Sequence, residues 1–448
     1  MPSSSSLSSE PWAVSPTSPV VGGGTVGAGA AGKLATPTVF PPAPREIPIF
    51  ANAAYYPNWR IYRKQPPSSL RLGFVSHVFY AFTWVKDTGE VYLSDEWADA
   101  QMPVDGTEGC LRAFTQLKRQ YSELKVILSV GGGGKGSENF ARVARKPQAV
   151  ETFARTARAL VDEYQLDGID VDWEHPSDAQ QGQDYLFLLS RLRAALPSPE
   201  YIITTALPAG EWALRYINLS LVQQYVDLIL VMCYDFSGPW GSRTGHQSQL
   251  LSPPQLPSST TVNDDDDNAD DGGIDDAAHS PNTTTTTTTT TTDDNSDAAT
   301  DPSGAAPGSS SSHSGDPISC HSAMTYFLSQ GVLPRKLLLG IPVYGRSFLG
   351  ATDVDQPYTA AGGEDGVFDY RDLPRPGARE AHDGAVVAAY CVGGDGGFVS
   401  YDTPRTVEQK AKFASSLGLG GLFYWHIAAD KRGMQSLIET GYRTLHDM

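Results

Sequence analysis

The chain of 448 residues is 40% hydrophobic, enough apolar material for a core, and carries a formal net charge of −18. Twelve aspartates between Asp264 and Asp301, with no lysine or arginine among them, account for most of this charge and leave −6 for the rest. So modest a charge identifies no partner, and no apolar run approaches the ~20 residues of a membrane span. We therefore expect neither a nucleic acid nor a membrane as a partner.

Residues 1–44 are rich in Ser, Pro, Ala and Gly, a composition that predicts a disordered tail. They lack the cationic region and the uninterrupted apolar stretch of a secretory signal. As written, the chain is expected to stay in the cytoplasm. A different N-terminus or an unconventional route of export would place it outside the cell.

Short apolar runs then recur, most of them followed by an amphipathic helical pattern. Eight of these runs predict strands, namely Ala51–Tyr56, Val75–Trp84, Lys125–Gly131, Gly168–Glu174, Ile202–Leu207, Leu228–Asp235, Leu337–Tyr344 and Gly420–Trp425. Strands that alternate with helices indicate a parallel sheet, and eight such units predict a closed (β/α)8 TIM barrel. Segments 45–248, 317–348 and 401–448 would supply strands one to six, strand seven, and strand eight with a C-terminal helix. A doubly wound open sheet is the alternative, but AYYPNW after the first strand is not the glycine-rich loop of that fold.

Two segments interrupt the predicted barrel. Residues 249–316 contain the aspartates and a run of ten threonines, Thr283–Thr292, and predict a disordered insert. Residues 349–400 consist of short, Gly-rich segments with aromatics and are too long for a simple loop. They predict a small α+β subdomain between strands seven and eight, on the C-terminal face, where it would wall a substrate groove.

The cysteines are far apart in sequence, with no histidine at metal-ligand spacing; they are Cys110, Cys233, Cys320 and Cys391. This pattern indicates neither a zinc site nor a disulfide framework. It predicts buried free thiols that pack as small hydrophobic side chains. We expect no metal and no cofactor.

In the stretch LDGIDVDWEHP, Leu166–Pro176, acidic and apolar residues alternate. On a strand this places Asp170, Asp172 and Glu174 on one face and the apolar residues on the other. The apolar face suits the helices around a barrel, so the acids must point inward, near the C-terminal mouth where active sites of this fold lie. Neighbours on one face are only ~6–7 Å apart. Repulsion and desolvation should therefore raise at least one pKa, and a carboxyl group that stays protonated near neutral pH can act as a general acid.

Acid catalysis and chelation of Mg²⁺ or Mn²⁺ are both possible uses of such a cluster. The ends of other strands carry Ser129, Tyr234, Asp235 and Trp425. These strand ends supply hydroxyls, a further acid and an aromatic platform, but few imidazoles of the kind that bind metals. Because aromatic faces suit the apolar faces of sugar rings, glycoside hydrolysis is the preferred interpretation and a metal-dependent hydrolase the alternative.

The order of these motifs resembles glycoside hydrolase family 18. The acidic stretch matches the family signature D-x-x-D-x-D-x-E, and LSVGG, MCYD, IPVYGRSF and the strand-eight tryptophan occur in the family's order. YYPNWRIYRKQ, GEVYLSDEWAD and FVSYDTP are especially similar to fungal chitinases of the bacterial type, class V. The likeness covers the chain from about residue 49 to the C-terminus, apart from the insert. It implies endo-acting hydrolysis of β-1,4-linked N-acetylglucosamine in chitin or chitooligosaccharides.

The resemblance implies roles for five residues. Glu174 would protonate the leaving glycosidic oxygen. Asp172 would orient the substrate's acetamido group, which acts as the nucleophile in a retaining, substrate-assisted reaction. Asp170 would share a proton with Asp172. Tyr234 would hold the acetamido carbonyl, and Asp235 a sugar hydroxyl or the acetamido group.

The same resemblance implies residues that bind or support the substrate. Tyr56 and Ser129 would balance the buried charge, unless they are ordinary residues of the barrel interior. Trp425 would be the floor of the −1 subsite. Trp240 would lie at an aglycon subsite or simply on the surface, and Arg346 would contact the substrate or pair with an acid of the subdomain. The remaining substrate-binding candidates are Gly132 and Met232.

One position departs from the family pattern, because Gly133 stands where many relatives carry a tryptophan. A stacking platform on the +1 side is thus missing, which predicts a weaker grip on long or crystalline chitin. Trp59, Trp84 and Trp212 are interpreted as structural. Two other functions remain open, an endo-β-N-acetylglucosaminidase acting on N-glycan cores and a chitin-binding lectin, although such lectins typically lose the acid. We expect a monomer.

Overall fold

The computed structural model describes residues 50–253 and 318–447. The predicted tail 1–44 and nearly all of the predicted insert 249–316 lie outside these ranges. The strands are, in chain order, β1 (Ala51–Pro57), β2 (His77–Val85), β3 (Val91–Leu93), β4 (Pro103–Val104), β5 (Thr107–Glu108), β6 (Lys125–Gly131), β7 (Gly168–Asp172), β8 (Ile202–Pro208), β9 (Leu228–Met232), β10 (Leu337–Pro342), β11 (Tyr344–Leu349), β12 (Ala360–Ala361), β13 (Val367–Asp369), β14 (Arg379–Asp383), β15 (Ala388–Val392), β16 (Phe398–Tyr401) and β17 (Gly421–Trp425).

Several of the α-helices begin at residues suited to a helix start. They are α1 (Gly109–Leu117), α2 (Phe140–Ala144), α3 (Pro147–Glu163), α4 (Ala179–Ala195), α5 (Glu211–Leu214), α6 (Leu219–Tyr225), α7 (Cys320–Ser329), α8 (Pro404–Ser416) and α9 (Leu437–Leu445). At α8, for example, Thr403 and Thr406 cap each other's backbone N–H groups, and Pro404 occupies the first helical turn. Proline is tolerated there because its missing N–H would have no partner within the helix.

Eight parallel strands close into a barrel in the order β1, β2, β6, β7, β8, β9, β10 and β17. The ring is completed by β17, which pairs with β1 from Ala51 opposite Gly421 to Ala54 opposite Tyr424. An open doubly wound sheet has no such closing pair. The predicted TIM barrel is therefore confirmed, with all eight predicted strands present.

Alternation along β7 separates an apolar outer face from an acidic inner face. Ile169, Val171 and Trp173 belong to the core under the helices. The Trp173 ring stacks on Phe140 of α2 at 5.5 Å between centroids. With the outer face filled, the acids of β7 point into the barrel, as the period of two predicts.

The inserted subdomain is an antiparallel sheet in the order β12, β11, β16, β15 and β14, with β13 also paired to β11. Its first strand begins at Tyr344, ahead of the predicted boundary at 349, because only Val343 separates β10 from β11. The apolar run through both strands conceals this junction in the sequence. Between β11 and β16 the only helical segment is the 3-10 helix Tyr370–Asp372, which limits the α part of the expected α+β character.

The four cysteines are buried free thiols, as predicted. None of the helices within 50–253 and 318–447 combines the length and the apolar character needed to cross a membrane.

Candidate active site

Asp170 lies at the bottom of the site, with no exposed surface. Its Oδ2 accepts hydrogen bonds from the hydroxyls of Tyr55 at 2.8 Å and Ser129 at 2.7 Å. Its Oδ1 accepts one from Thr204 at 2.7 Å. Burial raises the pKa of Asp170, and the three hydroxyl donors act against that rise. Because both oxygens are taken by hydroxyls, this carboxyl group is a poor candidate for a metal ligand.

The partner from β1 is Tyr55, and the expectation for Tyr56 is corrected. Tyr55 belongs to the cluster of side chains inside the barrel. Tyr56 points the other way, donates to the backbone carbonyl of Gln65 at 2.8 Å and packs against Phe114 of α1. Adjacent strand residues face opposite sides, so only one of the two tyrosines can reach Asp170. The sequence YY offers no polarity difference by which to choose between them.

Asp172 and Glu174 stand above Asp170, toward the mouth. Burial, then the charges of Glu174 and Asp170, hold the pKa of Asp172 well above its usual range. Burial, then the charge of Asp235, raise the pKa of Glu174 to about 7. Oδ1 of Asp172 is buried without a hydrogen-bond partner. The site therefore offers Glu174, whose pKa lets it hold a proton near neutral pH, and on Asp172 a buried oxygen without a hydrogen-bond partner.

β7 ends at Asp172 and β9 at Met232, earlier than predicted. Glu174, Tyr234 and Asp235 thus stand in the loops beyond the carboxyl ends of the strands. The backbone N–H of Glu174 donates to Oγ of Ser137 at 2.8 Å, which fixes the start of its loop. These three residues consequently lie at the mouth of the barrel, whereas Asp170 and Asp172 lie within it.

Asp235 is held by two residues of β11. Arg346 donates to both its carboxylate oxygens at 2.8 Å, and the Tyr344 hydroxyl donates to Oδ1 at 2.6 Å. The Arg346 guanidinium lies 4.8 Å from the ring centre of Trp240. Arg346 thus pairs with an acid of the barrel, not with one of the subdomain as the alternative expectation had it. Trp240 stacks on this pair and does not line the cleft.

Trp425 is the aromatic floor of the site. Its ring stacks on Phe82 at 5.6 Å with an interplanar angle of 22°, and contacts Tyr55 at 5.2 Å. Trp59, interpreted from the sequence as structural, lies 6.4 Å from Trp425 and lines the cleft. Trp59 lies in the 3-10 helix Asn58–Arg63, directly after β1. This position just beyond a predicted strand could have placed it at the mouth of the barrel.

These residues surround a cleft of about 280 Å³ between the barrel mouth and the subdomain. Seven sequence-predicted residues form its walls, namely Asp172, Glu174, Met232, Tyr234, Asp235, Arg346 and Trp425. Ser129 and Asp170 lie beneath it. Gly132 does not line it, whereas Gly133 does. A Cβ on Gly132 would come within 2.7 Å of the Phe82 ring, so this glycine serves close packing behind the platform.

Glu174 and Trp425 line the same cleft, so an acid that can hold a proton near neutral pH and an aromatic surface share one cavity. The expected sharing of a proton between Asp170 and Asp172 stays a prediction, because no hydrogen bond joins these two described carboxyl groups. Tyr234, which also lines the cleft, is packed between Tyr344 at 6.2 Å and Phe423 at 6.1 Å, so its ring is fixed.

Comparison with known proteins identifies a family and several relatives with this architecture. A family model described as glycosyl hydrolases family 18 matches residues 51–275 and 281–430. Chitinase 1 of Aphanocladium album is 29% identical over 418 residues, which cover 88% of this chain and 85% of that protein. Sporulation-specific chitinase 2 of Saccharomyces cerevisiae is 26% identical over 449 residues, covering 86% of this chain and 76% of that protein. The crystal structure of Ostrinia furnacalis group IV chitinase in complex with allosamidin shares the fold, with a TM-score of 0.70, 24% identity and coverage of 88% of this chain and 98% of that one.

Proposed function

Because the chain belongs to glycosyl hydrolase family 18, we propose that it is a chitinase that hydrolyses β-1,4 linkages between N-acetylglucosamine residues. The named relatives in fungi are themselves chitinases. The observation that carries the proposal is the pair formed by Glu174, whose pKa is raised to about 7, and Asp172, whose buried Oδ1 lacks a partner. One supplies a proton and the other can accept an N–H.

The first half of the reaction would use these two groups together. The sugar in the −1 subsite stacks on Trp425, and its acetamido N–H donates to Oδ1 of Asp172. The acetamido oxygen attacks the anomeric carbon while the Glu174 proton passes to the leaving glycosidic oxygen. The bond to the leaving sugar breaks, and a bicyclic oxazolinium ion forms beside the Asp172 carboxylate.

In the second half, the Glu174 carboxylate takes a proton from a water molecule. The water attacks the anomeric carbon from the side the leaving group vacated, and the acetamido group is released unchanged. Two displacements at one carbon retain its configuration. No carboxyl group of the protein becomes covalently attached to sugar.

The site needs only one chain, because all its residues come from the barrel and its own subdomain. We further propose that the enzyme works as a monomer on chitooligosaccharides. The missing tryptophan at Gly133 leaves Trp425 and Trp59 as the two tryptophans that line the cleft, which favours soluble oligomers over crystalline chitin.

The test is to incubate the protein separately with the tetramer of N-acetylglucosamine and with a high-mannose glycopeptide, and to identify the products by mass spectrometry. We expect the tetramer to be cleaved, with the β-anomer seen by NMR immediately after cleavage, and the glycopeptide to stay intact. Cleavage of the glycopeptide alone would instead establish an endo-β-N-acetylglucosaminidase. Binding of the tetramer without any cleavage would establish a lectin.

A second measurement addresses the nucleophile. Fully deacetylated glucosamine oligomers should be nearly inert, because they carry no acetamido oxygen to attack the anomeric carbon. A thiazoline mimic of the bicyclic intermediate should inhibit, because the site is complementary to that species. Rapid cleavage of the deacetylated oligomer would show that the enzyme supplies its own nucleophile.

A further inference from the structure

Two ion pairs join the opposite walls of the cleft. Arg60 and Arg63 belong to the 3-10 helix that follows β1, whereas Asp369 and Glu364 belong to the subdomain. Arg60 pairs with Asp369, and Nη2 of Arg63 lies 2.5 Å from Oε2 of Glu364. All four residues line the cleft. The walls are thus tied together by charge at this place.

The end of the cleft that carries these two ion pairs lies beyond Trp425 as seen from Glu174. In the ring of barrel strands, three strands separate β7 from β17 in either direction, so Glu174 and Trp425 stand on opposite sides of the mouth. The two strands next to β17 are β1 and β10. The turn after β1 carries Arg60 and Trp59, and Trp59 lies 6.4 Å from Trp425 and lines the cleft. A sugar chain that continues past Trp425 away from Glu174 therefore runs toward Trp59 and meets the two ion pairs.

Chemistry decides which end of the sugar chain this is, given the proposed function on which the inference rests. The sugar on Trp425 contributes the anomeric carbon, and Glu174 protonates the oxygen of the leaving portion. Sugar units bound on the far side of Trp425 from Glu174 therefore belong to the part of the substrate that extends toward its non-reducing end. Trp59 lines the cleft at this end, and its indole N–H is buried without a hydrogen-bond partner.

We propose that the Arg63–Glu364 ion pair is a bar that closes the non-reducing end of the cleft and limits how many sugars bind beyond Trp425. It makes Arg63 and Glu364 specificity-determining residues, which set product length without touching the reacting atoms. With the bar in place, short products released from the non-reducing end are favoured. With it removed, the cleft is open to longer segments on that side.

The two ion pairs differ in how easily they break. Side chains of Arg60 and Asp369 are 4% and 16% exposed, so this pair is a fixed part of the wall. Those of Arg63 and Glu364 are 45% and 55% exposed. Exposed pairs are weak and are screened by salt, whereas buried pairs are screened much less. The outer pair is therefore the one that substitution or salt can open without disturbing the barrel.

The experiment is cleavage of the hexamer of N-acetylglucosamine in water enriched in ¹⁸O, followed by mass spectrometry. Only the fragment released from the −1 side acquires ¹⁸O, so each product is assigned to the non-reducing or the reducing part of the hexamer. For Arg63→Gln and for Glu364→Gln, we expect the ratio of labelled trimer and tetramer to labelled dimer to rise by about twofold to fivefold, the scale of an exposed ion pair.

Arg191→Gln is the matched control. Arg191 pairs with Glu151 at 2.6 Å on the outer helices, with side chains 42% and 54% exposed, and lies far from the cleft. It should leave the ratio unchanged. The exchanged pair, Arg63→Glu with Glu364→Arg, should restore the wild-type ratio, and high salt should move the wild type toward the single variants while leaving those variants unaffected.

The outcomes separate the two proposals. A wild-type protein that leaves the hexamer intact overturns the proposed function, and this inference with it. Wild-type and single-variant proteins that both cleave, with the same ¹⁸O-assigned ratio, overturn the bar alone. Because both substituted residues are half exposed and each is tested separately, a folding defect in one, detected by its melting temperature, leaves the other to decide.

Discussion

The hydroxyl of Tyr55 donates a 2.8 Å hydrogen bond to Oδ2 of Asp170, while the next residue, Tyr56, points to the outer layer of the barrel. One of two adjacent tyrosines thus contacts a carboxyl group of the candidate site, and the other packs in the outer layer. Replacing each tyrosine by phenylalanine should therefore have different effects, one mainly on kcat and the other mainly on the melting temperature.

Tyr55→Phe removes one of three hydroxyl donors from a buried carboxyl group, whereas Tyr56→Phe removes a bond to a backbone carbonyl. A hydrogen bond to a charged group contributes ~1.5–3 kcal/mol. We expect Tyr55→Phe to lower kcat by about tenfold or more and to raise the pKa of Asp170 further. Tyr56→Phe should lower the melting temperature with little change in kcat. Steady-state kinetics across pH and thermal unfolding measure both, and equal losses of kcat in the two variants would contradict the assignment.

Glu174→Gln should abolish hydrolysis and preserve binding, because the amide keeps the shape of the side chain and cannot release a proton. Loss of a general acid typically costs at least ~10² in kcat. Glu211→Gln, an exposed glutamate at the start of α5, is the control and should behave as the wild type. Turnover of the tetramer and its calorimetric affinity for the variant are the measurements. A Glu174→Gln enzyme that keeps a near-normal rate would remove Glu174 from the acid role.

The pH profile should show a basic limb set by Glu174. Its proton is required, and its pKa is raised to about 7 first by burial and then by the charge of Asp235. The plot of kcat/KM should therefore decline as pH rises through that value. Asp235→Asn removes a nearby negative charge, which favours the ionised form of Glu174 and lowers its pKa. Its basic limb should move to lower pH.

Asp162→Asn tests whether that shift is specific. Asp162 pairs with Arg158 on the exposed face of α3, at 3.2 Å, so its loss removes a carboxylate of similar kind without altering the site. The basic limb should stay in place for this variant. A basic limb of Asp235→Asn that coincides with that of the wild type would show that Asp235 does not tune Glu174.

Asp99 makes folding stability depend on pH. It is fully buried, its Oδ1 accepts hydrogen bonds from Tyr80 at 2.6 Å and Asn58 at 2.9 Å, and burial raises its pKa to about 7. A folded-state pKa above the unfolded value means that the stabilising contribution is complete below the unfolded pKa. It is lost as pH rises through about 7. Between the two pKa values the slope for one group is ~1.4 kcal/mol per pH unit.

Asp99→Asn cannot ionise, so its melting temperature should fall less than that of the wild type between pH 5 and pH 8, a window chosen to span the pKa of about 7. Asp87→Asn, at an exposed turn, should retain the full wild-type dependence. Acidic groups of the active site with raised pKa values change the melting temperature with pH in the same direction. The test is therefore the difference in pH dependence between Asp99→Asn and Asp87→Asn. Identical slopes for Asp99→Asn and Asp87→Asn would refute the linkage.

The sequence by itself determined the barrel and the acidic strand. Eight apolar runs separated by helical patterns predict parallel strands, and the period of two along Gly168–Glu174 orients the acids inward, since the other face is apolar. These are local patterns. They can be recognised in the sequence because burial of one face of an element requires apolar residues at regular spacing. For the same reason Trp425, at the end of a predicted strand, could be placed at the mouth.

Only the tertiary structure decided the register of β1 and the composition of the cleft walls. Tyr55 and Tyr56 are the same residue type, so no difference in polarity marks the inner face, and pairing with neighbouring strands fixes it. The ion pairs of Arg60 with Asp369 and of Arg63 with Glu364 join residues about 300 positions apart. Contacts of that kind leave no periodic trace in a single chain, because they arise only when the subdomain folds back over the barrel mouth.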